Sequence, residues 1–247
     1  MGKSSVKNML QEILTELRQP TLLPFYMTSL LYLWVYSPHI ERPQELLSVA
    51  ILKALPIWTL AFKVYLSSSG GNNSGKPNAP GADVALTLFL GGLLMSSVGD
   101  VCLVYTKFFP VGVLAFAFAQ FCYLLSMRQL FKRGSFAWIV LPLGFTNLLL
   151  MVTSIHDYVL LTEVVVYLAL IHTMLFMAIA SFESNPSAPT VCIMAGAAIF
   201  TVSDFTIAVN SWVWKFGCAE GVILFTYYIA QLLLTVGMTK AKIPWRL

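Results

Sequence analysis

Long apolar runs separated by short polar breaks repeat along the whole chain, and a membrane-spanning helix needs about 20 mostly apolar residues. Eight runs meet that pattern, near residues 21–37, 46–66, 84–106, 109–130, 136–154, 159–181, 190–212 and 218–239. They predict an all-α membrane protein, a bundle of eight transmembrane helices occupying residues 21–239. The first run is the shortest, and Pro20 and Pro24 suit its opening turn, where a missing N–H does no harm. Ahead of it, residues 1–20 form a polar leader in which Val6, Met9, Leu10, Ile13, Leu14 and Leu17 recur at helical spacing beside Lys3, Lys7 and Arg18. Such a helix lies on the membrane surface or stands as a short solvated helix. Residues 67–82, rich in Gly, Ser, Asn and Pro, read as a flexible loop, and 240–247 as a basic tail.

Composition agrees with this pattern and excludes a soluble domain. The chain is 58% hydrophobic and 11% charged, against about 25% charged in ordinary soluble domains, and its mean hydropathy is +0.78. The leader carries both signs of charge and does not read as a cleavable signal, so insertion is expected to rely on the first span. With the N-terminus cytoplasmic, that side receives eleven Lys and Arg in the connections and termini, and the other side only Arg42, Lys107 and Lys215. This bias predicts both termini in the cytoplasm. The net charge of +4 is then a topology signal and gives no support to a nucleic-acid partner. Asn72, in an Asn-x-Ser sequon of the 67–82 loop, should stay unglycosylated on that side. Cys102, Cys122, Cys192 and Cys218 lie in or beside apolar runs and show no metal spacing.

Two aspartates break the apolar pattern. Asp100 and Asp204 each close the sequence Gly-x5-Val-x-Asp, from Gly92 and from Gly196. A charged side chain at the centre of a spanning helix costs roughly 2.5–3.5 kcal/mol on insertion scales, so both are candidates for function. At about 1.5 Å per residue they lie at nearly one depth, roughly 10–12 Å below the non-cytoplasmic surface. Lys53, Gln120, Tyr167, Tyr227, Tyr228 and Gln231 reach a similar layer from other helices, which predicts one shared cavity. Each Tyr and Gln has an alternative role as interhelical glue, on the order of 0.6–2 kcal/mol. Lys53 either snorkels or pairs with an aspartate.

Small residues around both aspartates, among them Gly91, Gly92, Gly99, Gly196, Ala197 and Ser203, allow close helix approach. The aspartates are 104 residues apart on parallel helices, and Tyr123 and Tyr227 each follow one of them by 23 residues. This spacing allows an internal repeat of four plus four helices. His39, His156 and His172 are too scattered to bind zinc, and neither a metal nor a cofactor is expected.

Several segments resemble the YhhN-like family of multispanning proteins, whose animal members are lysoplasmalogenases. These are Lys53-Ala-Leu-Pro56, Ser97-Val-Gly-Asp100-Val-Cys-Leu103, Gly112-x3-Phe116, the stretch from Gly196 through Asp204 to Ala208, and Thr226-Tyr-Tyr-Ile-Ala-Gln231. The resemblance covers roughly residues 22–239. It implies hydrolysis of the vinyl ether of a lysophospholipid, in the endoplasmic reticulum membrane, with release of a fatty aldehyde. It also marks a departure, since the family pattern places a His where this chain has Gln120, three residues before Tyr123. Vinyl ethers hydrolyse through a proton donor and an oxocarbenium ion, and two carboxyls can divide that work as they do in glycoside hydrolysis. Asp100 and Asp204 would be catalytic, with Lys53, Gln120, Tyr123, Tyr167, Ser203, Tyr227, Tyr228 and Gln231 supporting. Paired membrane carboxylates also suit a transporter or proton-coupled carrier, the alternative from another class. Oligomeric state is left open.

Overall fold

The computed structural model describes residues 3–36, 45–69, 80–131 and 134–241. Helices dominate them, in the order α1 (Lys3–Leu17), α2 (Leu23–Val35), α3 (Leu47–Ser69), α4 (Pro80–Val104), α5 (Phe109–Met127), α6 (Val140–Ser154), α7 (Tyr158–Ser184), α8 (Ala188–Ala208) and α9 (Ala219–Lys240). Tight 3₁₀ turns at Pro20–Leu22, Thr106–Phe108 and Phe136–Ile139 lead into α2, α5 and α6. A wide π turn, Val209–Val213, continues α8. No strand occurs among the described residues.

Local chemistry explains where the helices start. Prolines occupy the first turns of α2, α5 and α8, where no intrahelical N–H bond is lost. The Asp157 carboxylate caps α7 by accepting from the N–H groups of Val159 and Leu160 at 2.9 and 3.2 Å. Ser187 and Thr190 form a reciprocal capping box for α8.

Seven of these segments are long and apolar enough to cross a membrane. The first expected span departs from the reading of 21–37. Pro20 and Pro24 divide its opening into a 3₁₀ turn, leaving α2 only 13 residues, about 20 Å of helix against a hydrocarbon core of about 30 Å. The expected 67–82 loop is also narrower, because α3 runs on to Ser69 and α4 begins at Pro80. Residues 70–79, like most of the basic tail, lie outside the described residues. The leader is helical as its spacing predicts. Ile13 and Leu17 pack against the core, while Val6, Leu10 and Leu14 remain exposed.

Helix packing is most extensive between α4 and α5 and between α8 and α9. Glycines make both approaches possible. A Cβ on Gly92 would run into the Tyr123 ring, and one on Gly196 would meet the Leu234 backbone nitrogen at 2.9 Å. α3 lies on α4, α7 on α8, and the two groups join where α5 meets α7 and α3 meets α9. The main core runs through α2, α3, α4, α5, α7, α8 and α9. α6 adds only Val140 to this core and otherwise packs chiefly on α7, with a small separate cluster of Met151, Ile155 and Val164.

The glycine contacts generate a paired prediction. Gly92→Ala drives a methyl group into a fully buried, hydrogen-bonded tyrosine and should destabilise the protein by about 1–3 kcal/mol. At the neighbouring Gly91 the nearest atom, Cys122 Sγ, is 4.0 Å away, so Gly91→Ala should be neutral or stabilising by up to about 1 kcal/mol. Thermal unfolding of the two variants in detergent compares them directly.

Candidate active site: two aspartates held by tyrosines

Asp100 lies one turn before the end of α4 and is 1% exposed. Its Oδ2 accepts a hydrogen bond from the Tyr227 hydroxyl of α9 at 2.7 Å. One turn further along the same face of α9, Gln231 accepts from the Tyr123 hydroxyl at 2.9 Å and donates to Ser96 Oγ at 3.2 Å. Ser96 and Tyr123 close the triangle at 3.1 Å. This buried ring therefore ties α4, α5 and α9 together beside the first aspartate.

Asp204 on α8 is half-buried, and its Oδ2 accepts a hydrogen bond from the Tyr167 hydroxyl of α7. Gln120 Nε2 approaches the same hydroxyl at 3.4 Å, while Gln120 Oε1 is buried without a partner. The two carboxyls are within electrostatic reach of one another. Phe116 and Phe200 pack edge-on against Tyr227, with centroids 5.9 and 5.6 Å away.

Three of the sequence candidates occupy different surroundings. The Tyr228 hydroxyl donates to the backbone carbonyl of Lys53 at 2.9 Å, and Ser203 Oγ donates to the carbonyl of Ile223, also at 2.9 Å. Both bonds join helices and neither involves a carboxylate. Lys53 is half-buried and within electrostatic reach of Asp100, but no ion pair of 4 Å or less joins them.

A cavity of about 70 Å³ opens beside Asp204, lined by that residue with Tyr167, Phe116, Thr201, Asn147 and His172 among others, and otherwise apolar. It has room for a few water molecules and far less than a lysolipid occupies. Phe116, one of its lining rings, also packs against Tyr227, the phenol that holds Asp100. The Phe116 ring lies where a Cβ on Gly99, next to Asp100, would touch it at 2.5 Å. The other flank is α6, the loosely packed helix.

Asn147 and His172 were not singled out as site residues from the sequence. His172 Nδ1 lies 2.8 Å from the Leu168 carbonyl, which requires the proton on that nitrogen and leaves Nε2 to accept from Asn147 Nδ2 at 3.2 Å. A lone Asn inside the apolar run of the fifth expected span was the available signal. Nothing in its spacing links it to a histidine 25 residues away. No group of three or more His, Cys, Asp or Glu suited to a metal occurs among the described residues.

Fold and site together define an all-helical protein with seven spans apolar enough for a membrane and two carboxyls held inside the bundle by phenols. More specifically, the chain belongs to the YhhN family, whose profile matches residues 48–238. Lysoplasmalogenase TMEM86B of Sus scrofa is 30% identical over 220 residues, 88% of this chain and 86% of the relative. Its Homo sapiens counterpart is 30% identical over 227 residues, 90% and 87% of the two chains. Lysoplasmalogenase TMEM86A of Bos taurus is 28% identical over 233 residues, 91% of each. No solved structure matches the chain.

The Gln231 ring yields a stability prediction separate from chemistry. Gln231→Leu removes two interhelical hydrogen bonds, each worth on the order of 0.6–2 kcal/mol in a membrane protein. Unfolding should occur at lower temperature or denaturant than for Ser203→Ala, which loses one such bond.

Proposed function

We propose that the protein is a lysoplasmalogenase, a hydrolase that cleaves the vinyl ether of a lysophospholipid to a fatty aldehyde and a glycerophospho-base. The full-length similarity to enzymes of that name supports the activity, and it does not favour the carrier reading. The observation that carries the mechanism is a phenol-held carboxyl, Asp204, on the wall of a mostly apolar cavity, with a second phenol-held carboxyl, Asp100, within electrostatic reach of it.

In this reading the alkenyl chain lies along the apolar cavity wall. Asp204 protonates the alkene carbon remote from oxygen, and the oxocarbenium ion is stabilised by the negative charge of Asp100. Water adds to the cation, a carboxylate accepts its proton, and the hemiacetal collapses to aldehyde and alcohol. Tyr167 and Tyr227 orient the carboxyls. The unpartnered Gln120 Oε1 is a ready acceptor for water, although Gln cannot shuttle a proton as a His would. Tyr123, Gln231, Ser203 and Tyr228 hold the helices that carry the site, and Lys53 contributes positive charge near Asp100. Substrate binding requires the small cavity to enlarge. Rotation of Phe116 would join it to Asp100, and outward movement of α6 would admit a lipid from the bilayer.

The same reading takes α2 as an eighth, shorter pass. Glu16 beyond one end of α2 forms an ion pair with Lys240 at the end of α9, at 2.9 Å. An even number of passes between them supports this, and the Lys and Arg bias supports a cytoplasmic location for that end. The repeated neighbour relations, α2 to α5 in one group and α6 to α9 in the other, support a duplicated four-helix unit. The endoplasmic reticulum membrane is the proposed location.

Purified protein should release aldehyde from a lysoplasmalogen and none from its saturated-ether analogue. Asp204→Asn and Asp100→Asn should each lower the rate by about 10² to 10⁴-fold while the folded protein is recovered unchanged. Full activity in either variant would remove that residue from the mechanism, and equal turnover of the two ethers would remove the reaction.

A further inference from the structure

A second site lies at the opposite end of the bundle from the aspartates. Lys63 follows Lys53 by ten residues on α3, about 15 Å along the helix. It is 8% exposed, and its ammonium donates to Gln19 Oε1 and Thr21 Oγ1, both at 3.0 Å. Neither partner carries a charge, and no carboxylate lies within 4 Å of this buried cation among the described residues. A buried ammonium without an anion is costly. Two of its three N–H donors are used.

The surroundings form a groove of about 750 Å³ between the start of α2, α3 and the end of α9. Gln19 bonds onward to Glu16, and Glu16 pairs with Lys240 at 2.9 Å, so the carboxylate nearest along this chain of groups is already taken by a second cation. The net charge of this chain of groups is +1. The hydroxyls of Thr59, Ser67 and Thr239 already donate to backbone carbonyls and that of Thr21 donates to Gln19 Oε1, leaving Lys63 and Lys240 as the donors for an incoming anion. Trp58, Phe62 and Leu66 line the same groove and are exposed on α3, an apolar wall beside the cations along which acyl chains can lie.

We propose that this groove binds the head group of an anionic phosphodiester lipid, with its phosphate against Lys63 and Lys240 and its acyl chains along Trp58, Phe62 and Leu66. One phosphodiester neutralises the net positive charge, whereas a zwitterionic lipid brings a cation of its own. The site is independent of the lysoplasmalogenase reading and lies far from the aspartate cavity. Its occupancy would fasten α1, α3 and α9 together at the membrane surface.

The test is native mass spectrometry of the detergent-purified, delipidated full chain titrated with phosphatidylglycerol or phosphatidylcholine. Phosphatidylglycerol should be retained at least about tenfold better. Lys63→Met combined with Lys240→Met should abolish that preference, and Lys63→Arg should keep it. Lys240→Met alone, at a partly exposed position, should weaken it without unfolding the chain. Millimolar inorganic phosphate or glycerol 3-phosphate should fail to displace the lipid. Equal retention of the two lipids, an unchanged preference in a folded double variant, or displacement by free phosphate would each overturn the proposal, the last by making the groove a site for soluble phosphate.

Discussion

A carboxyl group inside an apolar bundle holds its place only when another helix reaches it with a hydrogen-bond donor. Here that donor is a phenol in both cases, Tyr227 for Asp100 and Tyr167 for Asp204. A tyrosine hydroxyl sits at the end of a rigid apolar ring, so it satisfies the carboxyl and fills the core at once. The demand fixes which helices must be neighbours. α9 has to lie close to α4 and α7 close to α8, and the glycines at 92 and 196 permit the tight helix pairs that surround these bonds. The Ser96, Tyr123 and Gln231 triangle then locks α5 and α9 to α4 beside the buried carboxyl.

The long apolar runs made the all-helical, membrane-spanning character legible, since length and hydropathy are local properties of the chain. The aspartates were legible for the same reason, because a carboxyl is conspicuous in lipid. α2 was not fully legible. Two prolines and a short helix leave it below spanning length, and only its tertiary position beside α3 and α9 gives it a role. Partners were harder to read than residues. Tyr228 and Ser203 were expected to support the site, yet their hydroxyls bind backbone carbonyls, and position along a helix says nothing about the direction a side chain takes. Asn147 and His172 meet across α6 and α7 through a hydrogen bond that no sequence period encodes.

The two ends of the bundle divide their chemistry. The aspartate end joins carboxyls to phenols around a small cavity, and Phe116 belongs both to the cavity wall and to the packing around Tyr227, which holds Asp100. The other end gathers lysines, amide and hydroxyl groups around a wide groove with an exposed aromatic wall. The same α3 and α9 run through both, so the helices that carry Lys53, Tyr227 and Tyr228 are also those anchored by Lys63 and Lys240. α6, bound mainly to α7, is the helix best placed to move without disturbing either network.

The central claim is that a buried carboxyl delivers a proton to carbon. Hydrolysis of a lysoplasmalogen in D₂O followed by mass analysis of the aldehyde tests it most directly. Carbon protonation places one deuterium on the carbon next to the carbonyl, and attack of water on the resulting cation leaves the glycerol oxygen unexchanged in H₂¹⁸O. An aldehyde free of deuterium at that carbon, or ¹⁸O in the glycerol product, would contradict it.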